Sequence, residues 1–204
     1  MGVVFKGIVS KGIVGGTPLN LLQVDTVGAG SFIVPAGVTS LTVKLWGAGG
    51  GSGGNGYIEG GGGGGGGAFA SKLLSVTPNS SISFVVGTGG GAGGYNGFGQ
   101  TVGTSGSATT CSGVSAGGGQ GGGDGTGGAG GTASGGDVNT TGQAGFGSFQ
   151  GVNSYKGGLA GNSPNALANS ATSPFNGLQP GGGQGGGGGD FTGQGGNGRV
   201  RFEW

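Results

Sequence analysis

Residues 40–70 run SLTVKLWGAGGGSGGNGYIEGGGGGGGGAFA. In the first seven, Leu41, Val43 and Leu45 alternate with Thr42, Lys44 and Trp46, and a period of two places successive side chains on opposite faces of a strand. Side chains then all but stop. The chain enters glycine at Gly47, passes through the unbroken run Gly60–Gly67, and regains apolar side chains at Ala68. Ala68–Leu74 is a less regular strand. A strand that gives way to bare backbone and then resumes predicts a sheet coupled to a separate glycine structure.

The same alternation recurs outward from this stretch. Ser81–Val86 presents Ile82, Phe84 and Val86 after the turn Thr77-Pro78-Asn79-Ser80, and Ser31–Val34 precedes the turn Pro35-Ala36-Gly37. At the end of the chain Val200, Phe202 and Trp204 alternate with Arg199, Arg201 and Glu203. Strand, turn and strand at short spacing predict a β-sandwich. No apolar stripe of helical period is present. The last strand has its expected sheet partners more than about a hundred residues earlier, so the glycine-rich stretch is expected as an insertion pinned at both ends, not a tail.

Composition excludes several classes. Glycine supplies 67 of 204 residues, which suggests collagen, but there are only 6 prolines and no Gly-X-Y period. Seven Lys and Arg against six Asp and Glu leave a net charge of +1, with no basic cluster to hold nucleic acid or an anionic membrane. No apolar stretch reaches the length of a membrane span, and no signal peptide follows Met1. The single cysteine, Cys111, rules out an internal disulfide framework and reads as a free small residue, while the absence of histidine removes the commonest general base and zinc ligand. Neither enzymatic activity nor a cofactor is expected. Asp124, Asp137 and Asp190 sit in glycine-rich turns without a metal-binding spacing.

Glycine runs make poor helices and poor core strands, because they are costly to order and have nothing to pack. The extended left-handed polyproline II conformation, at about 3.1 Å per residue and without internal hydrogen bonds, is what remains. Several such helices side by side satisfy one another, since without Cβ atoms their backbones approach closely enough for each N–H to reach a neighbouring carbonyl. Gly60–Gly67, Gly87–Gly94, Gly117–Gly136 and Gly181–Gly198 are candidate rods. The alternative reading of the residues alone is a flexible low-complexity linker. The expected fold is therefore all-β: a small, jelly-roll-like β-sandwich with an inserted bundle of polyglycine II helices. Residues 1–30 form an N-terminal arm or docking segment. Residues 31–204 form the glycine-rich domain, with strands in 31–46, 68–86 and 199–204 and the insertion mainly in 87–198.

The segments SFIVPAGVTSLTVKLWGAGGGSGG, GGGGGGGGAFASKLLSVTPNSSISFVVGTGGG and GGNGRVRFEW resemble the glycine-rich domain of bacteriophage tail proteins. The Trp-Gly-Ala-Gly-Gly opening is also similar to the extracellular glycine-rich domain of anaplastic-lymphoma-type receptor kinases. The end of the chain at Trp204, the single cysteine and the lack of a signal peptide favour the phage relatives. A looser similarity is to polyglycine II adhesins of T-even-like phages, from which this chain differs in being short and in carrying strands outside the glycine bundle. The resemblance implies a virion structural protein, made in the host cytoplasm and carried on the particle as a tail-fibre or tail-tip component for host attachment. It implies other virion proteins as partners, a host-surface saccharide or outer-membrane protein as receptor, and a homotrimer as the fibre. The competing expectation is a non-adhesive capsid decoration or connector subunit, with the bundle as a rigid spacer.

Aromatics interrupt the glycine runs at Tyr95, Phe98, Phe146, Phe149, Tyr155 and Phe175, with Asn96 beside the first two. Rigid aromatics at loop tips offer large contact area at low entropic cost, so these seven are the candidate receptor-contact residues. The alternative role for the aromatics is to seal the ends of the bundle. Trp46 and Trp204 are expected at the sandwich edge.

Overall fold

The computed structural model describes residues 3–5, 10–14, 17–54, 60–94, 101–151, 154–156, 163–164 and 193–204. Within them the chain is all-β. The strands are β1 (Val3–Phe5), β2 (Ser10–Val14), β3 (Thr17–Val24), β4 (Gly28–Ile33), β5 (Ser40–Trp46), β6 (Phe69–Ser75) and β7 (Ser81–Val86). They are followed by β8 (Thr109–Cys111), β9 (Val114–Ala116), β10 (Ala133–Ser134), β11 (Val138–Thr140), β12 (Phe149–Gly151), β13 (Ser154–Lys156) and β14 (Arg199–Glu203).

Two six-stranded sheets form, in the orders β1-β4-β7-β8-β9-β10 and β11-β6-β5-β14-β3-β2, beside a separate hairpin of β12 and β13. Every pairing is antiparallel except that of β1 with β4. The C-terminal strand β14 lies between β5 and β3, with Phe202 opposite Val43 on one side and Leu22 on the other.

The two sheets share one core, as alternation requires. Leu41, Val43 and Leu45 of β5, Val200 and Phe202 of β14, and Leu22 and Val24 of β3 meet Phe32 of β4, Ile82, Phe84 and Val86 of β7, and Cys111 and Val114 of β8 and β9. Phe32 and Phe202 stack across it with ring centroids 4.5 Å apart, and Phe84 and Trp204 tilt against the same pair. Phe84 also lies over Gly30, where an added Cβ would come within 2.5 Å of its ring.

Both turns read from the sequence are present. Ser80 N–H donates to Thr77 O at 3.1 Å with Asn79 at φ 65°, a left-handed position that asparagine tolerates. Val38 N–H donates to Pro35 O at 3.2 Å with Gly37 at φ 82°.

Strands β8 to β11 lie within 87–198 and join both sheets, so sheet strands thread the glycine-rich region. These strands are two or three residues long, too short for alternation to register against the surrounding glycine. Within residues 1–30, β3 hydrogen-bonds to β14 and contributes Leu22 and Val24 to the core.

Burial pushes the Cys111 thiol up from 9.0 to about 11, and its weak hydrogen bond to Ser112 acts in the opposite direction. A thiol that holds its proton longer when folded stabilises the fold fully below about pH 9, and this contribution is lost as pH rises towards about 11. Denaturation curves should therefore fall more steeply between these pH values for the wild type than for Cys111→Ala. Phe202→Ala should cost about 3–5 kcal/mol in urea unfolding, whereas Leu73→Ala, at a side chain 63% exposed, should change stability by less than about 0.5 kcal/mol.

Candidate functional site

The glycine segments continue the strands beyond one end of the sandwich. Segment 47–54 extends β5 and segment 60–68 leads into β6, segments 87–94 and 101–107 prolong β7 and β8, and segment 193–198 leads into β14. The expected rod over Gly117–Gly136 is divided. Its chain reverses at Asp124-Gly125, with Gly125 at φ 65°, so that 117–123 and 126–132 lie antiparallel, bonded from Gly117 to Thr132, Gln120 to Ala129 and Gly123 to Thr126. A left-handed glycine is the economical way to reverse the chain there.

Segment 47–54 is the centre of this array, and its hydrogen bonds repeat every third residue. Gly47, Gly50 and Gly53 donate to the carbonyls of Ala68, Gly65 and Gly62 at 2.9 Å. Ala48, Gly51 and Gly54 donate to Ser107, Thr104 and Thr101, and Gly49 and Ser52 to Gly196 and Gly193, at 2.8–3.2 Å. In return the carbonyls of Gly49 and Ser52 accept from Gly90 and Gly93, and those of Ala48 and Gly51 from Gly119 and Gly122. One segment is thereby bonded to five others. Segment 60–68 repeats the pattern: Gly62, Gly65 and Ala68 donate to Gly123, Gln120 and Gly117, and Gly63 and Gly66 to Phe146 and Gln143.

Such spacing leaves no room for side chains. A Cβ on Gly50 would lie 2.0 Å from Gln120 O, on Gly51 2.0 Å from Gly91 O, and on Gly122 2.1 Å from Gly62 O. All described residues of 47–54 and 60–68 are buried, whereas in 87–94 burial falls on every third residue, Gly87, Gly90 and Gly93. Ala48 and Ser52 are the side chains accommodated in the central segment, and Ser52 Oγ accepts from Gly193 N–H at 3.1 Å.

Side chains return on the outer segments, and hydroxyl groups among them bond back to the array. Thr101, Thr104 and Ser107 accept through their hydroxyls from the N–H groups of Gly94, Gly91 and Thr88 at 2.6–2.9 Å. This clamp was missed by the sequence reading, although the signal is visible in Thr101-Val102-Gly103-Thr104-Ser105-Gly106-Ser107, where hydroxyl residues recur every third position.

The candidate contact residues are placed as follows. Phe146 is 48% exposed, and its carbonyl accepts from Gly63 N–H at 3.0 Å near the end of the array remote from the sandwich. Phe149 opens β12 and Tyr155 lies in β13, where Phe149 pairs with Lys156 and Gln150 with Tyr155; one hairpin, starting three residues beyond Phe146, thus carries both positions in successive cross-strand pairs. Tyr95, Asn96, Phe98 and Phe175 lie outside the described residues, as do Asp190 and the expected rod residues 181–192. Asp137 accepts from Leu73 N–H at 2.8 Å, a structural use. Trp46 packs on Phe69 with ring centroids 5.1 Å apart and donates through Nε1 to Pro164 O at 3.0 Å.

A sequence-family model described as a glycine-rich domain matches residues 25–204. The chain belongs to this family. No curated protein matches it.

The array makes a sharp prediction about glycine. Gly51→Ala and Gly122→Ala should each abolish cooperative unfolding or lower stability by more than about 3 kcal/mol, because backbone must move to admit the methyl group. Ser105→Ala, at an exposed position between two hydroxyl-bearing sites, should stay within about 0.5 kcal/mol of wild type. Urea unfolding followed by tryptophan fluorescence reads both.

Proposed function

We propose that the glycine segments are polyglycine II helices forming a rigid bundle on a jelly-roll-like sandwich. In this reading the protein is a bacteriophage virion component, a tail-fibre or tail-tip protein whose distal loops attach to the host surface. The observation that carries the architecture is the donor pattern of residues 47–54, which turns to a new neighbour at each residue and returns every third, as a threefold left-handed helix requires. Ordinary strands direct their hydrogen bonds to two neighbours in one plane; donors from this segment reach three neighbours and its carbonyls serve two more.

Placement supports the functional half of the reading. Gly94 and Thr101 are bonded to each other at the end remote from the sandwich, and exposed Phe146 lies at the same end. A rigid scaffold that holds an exposed aromatic at one end needs no ordering of its own on binding, which lowers the entropic cost of a contact. The phage assignment itself rests on the resemblance of the three quoted segments.

Backbone amides of 47–54 and 60–68 should exchange with deuterium at rates set by global unfolding, while those of an uncrosslinked glycine coil would exchange within seconds. Binding of the purified protein to host cells should fall at least about tenfold when Tyr95, Phe98, Phe146 and Phe149 are replaced together by alanine, with the thermal midpoint little changed. Undiminished binding by that folded variant would remove these residues from the contact surface.

A further inference from the structure

The outer face of the second sheet carries a lateral row set by the strand register. Val138 lies opposite Ser71, Ser71 opposite Lys44, Lys44 opposite Arg201, and Arg201 opposite Gln23, so the row crosses β11, β6, β5, β14 and β3. The neighbouring row runs Leu73, Thr42, Glu203, Leu21. Five of the chain's 13 charged side chains meet on the three strands β5, β14 and β3 or at their ends: Lys44, Arg199, Arg201, Glu203 and Asp25.

Three cations here face two carboxylates. Asp25 is taken by Arg199, whose Nε and Nη2 donate to its two oxygens at 2.5 and 3.1 Å. Glu203, with a side chain only 11% exposed, is shared: Lys44 Nζ lies 2.8 Å from Oε2 and Arg201 Nε 2.8 Å from Oε1. Lys44 Nζ also donates a hydrogen bond to Oε1 at 3.0 Å, the oxygen that Arg201 faces, whereas the buried Arg201 Nε makes an ion contact without hydrogen-bond geometry. Among the described residues the Arg201 guanidinium has no other polar partner, and its side chain is 31% exposed.

Like charges directly opposite on a sheet are destabilising, and Lys44 and Arg201 stand in that relation with one carboxylate between them. Arg201 therefore has both a local excess of positive charge and a planar fork of unused donors, the geometry that accepts a carboxylate through two parallel hydrogen bonds. Along its own and the adjacent row lie exposed Val138, at 50%, and Leu73, at 63%, which give the same face an apolar flank.

We propose that this face is a docking surface for a partner protein, with Arg201 receiving an Asp or Glu carboxylate of that partner while Leu73 and Val138 bury against apolar side chains beside it. The face is set on the sandwich, away from Phe146, and the inference is independent of whether the candidate contact residues bind a host. A protein carboxylate is favoured over a phosphate because exposed Leu73 and Val138 on the same face offer apolar area that a free phosphate cannot bury.

The test uses the full chain labelled with nitrogen-15 and the peptide acetyl-Leu-Glu-Glu-Leu-amide as probe, with acetyl-Leu-Gln-Gln-Leu-amide and inorganic phosphate as separate arms. The expected result is a saturable shift of the Arg201 Nε–Hε resonance with the glutamate peptide, affinity weakened at least about tenfold by the glutamine peptide, and similar weakening in Arg201→Gln. Lys72→Gln, at a position of β6 adjacent to Ser71 and so on the opposite face, should bind as wild type does. Because the wild-type resonance reports directly, the reading stays testable even if Arg201→Gln misfolds. No shift with the glutamate peptide, equal binding of the glutamine peptide, or a response to phosphate alone would overturn the proposal.

Discussion

The structure depends on backbone N–H groups reaching carbonyls of neighbouring segments at about the spacing two bare backbones allow. Gly50 bonded to Gly65 and Gly51 bonded to Thr104 are typical: both bonds are near 3 Å, and at both positions a Cβ would fall about 2 Å from a third segment's carbonyl oxygen. Each such bond contributes only about 0.5–1.5 kcal/mol net, but a buried group left without its partner costs about 1–3 kcal/mol. The segments are therefore stable together or not at all. Segment 47–54, bonded to five others, is where this mutual dependence is greatest.

Glycine loses more conformational freedom on ordering than any other residue, and the array itself offers little apolar surface in return. The sandwich compensates by bringing the chain ends of the segments into register. Hairpins β5–β6 and β7–β8 are held by a core that includes Phe32, Phe84 and Phe202, and the segments that prolong them start already adjacent and antiparallel. Closing a segment pair that begins at a formed hairpin costs far less entropy than joining two free coils. The core is thus the element that makes the glycine array attainable, and it meets the array at Ala68.

Side chains reappear where a segment has neighbours on one side only. Thr101, Thr104 and Ser107 point their hydroxyls back to the N–H groups of segment 87–94, replacing the neighbour that is missing there. Charge follows a similar economy: the chain has 13 charged residues, and those of β5 and β14 lie across the outer face of one sheet.

Alternation in 40–46, 81–86 and 199–204 was enough to establish strands, because one face of each is buried and a period of two records it. The turns at Thr77–Ser80 and Pro35–Val38 were legible for a similar reason, since proline, asparagine and glycine occupy positions that demand them. Strands β8 to β11 were not legible: two or three residues cannot display a period. Of the contact candidates, Phe146 was recognisable as an isolated aromatic among glycines, while Arg201 was visible only as an outward residue of the last strand. That it shares Glu203 with Lys44 depends on β14 entering between β5 and β3, a pairing across 159 residues of sequence. By itself the sequence determined which segments have side chains to bury and which do not, through composition and period. Which segment touches which, where the run 117–136 reverses, and which cations share one carboxylate were decided by tertiary structure, because long-range backbone pairing leaves no mark on residues that have no side chains.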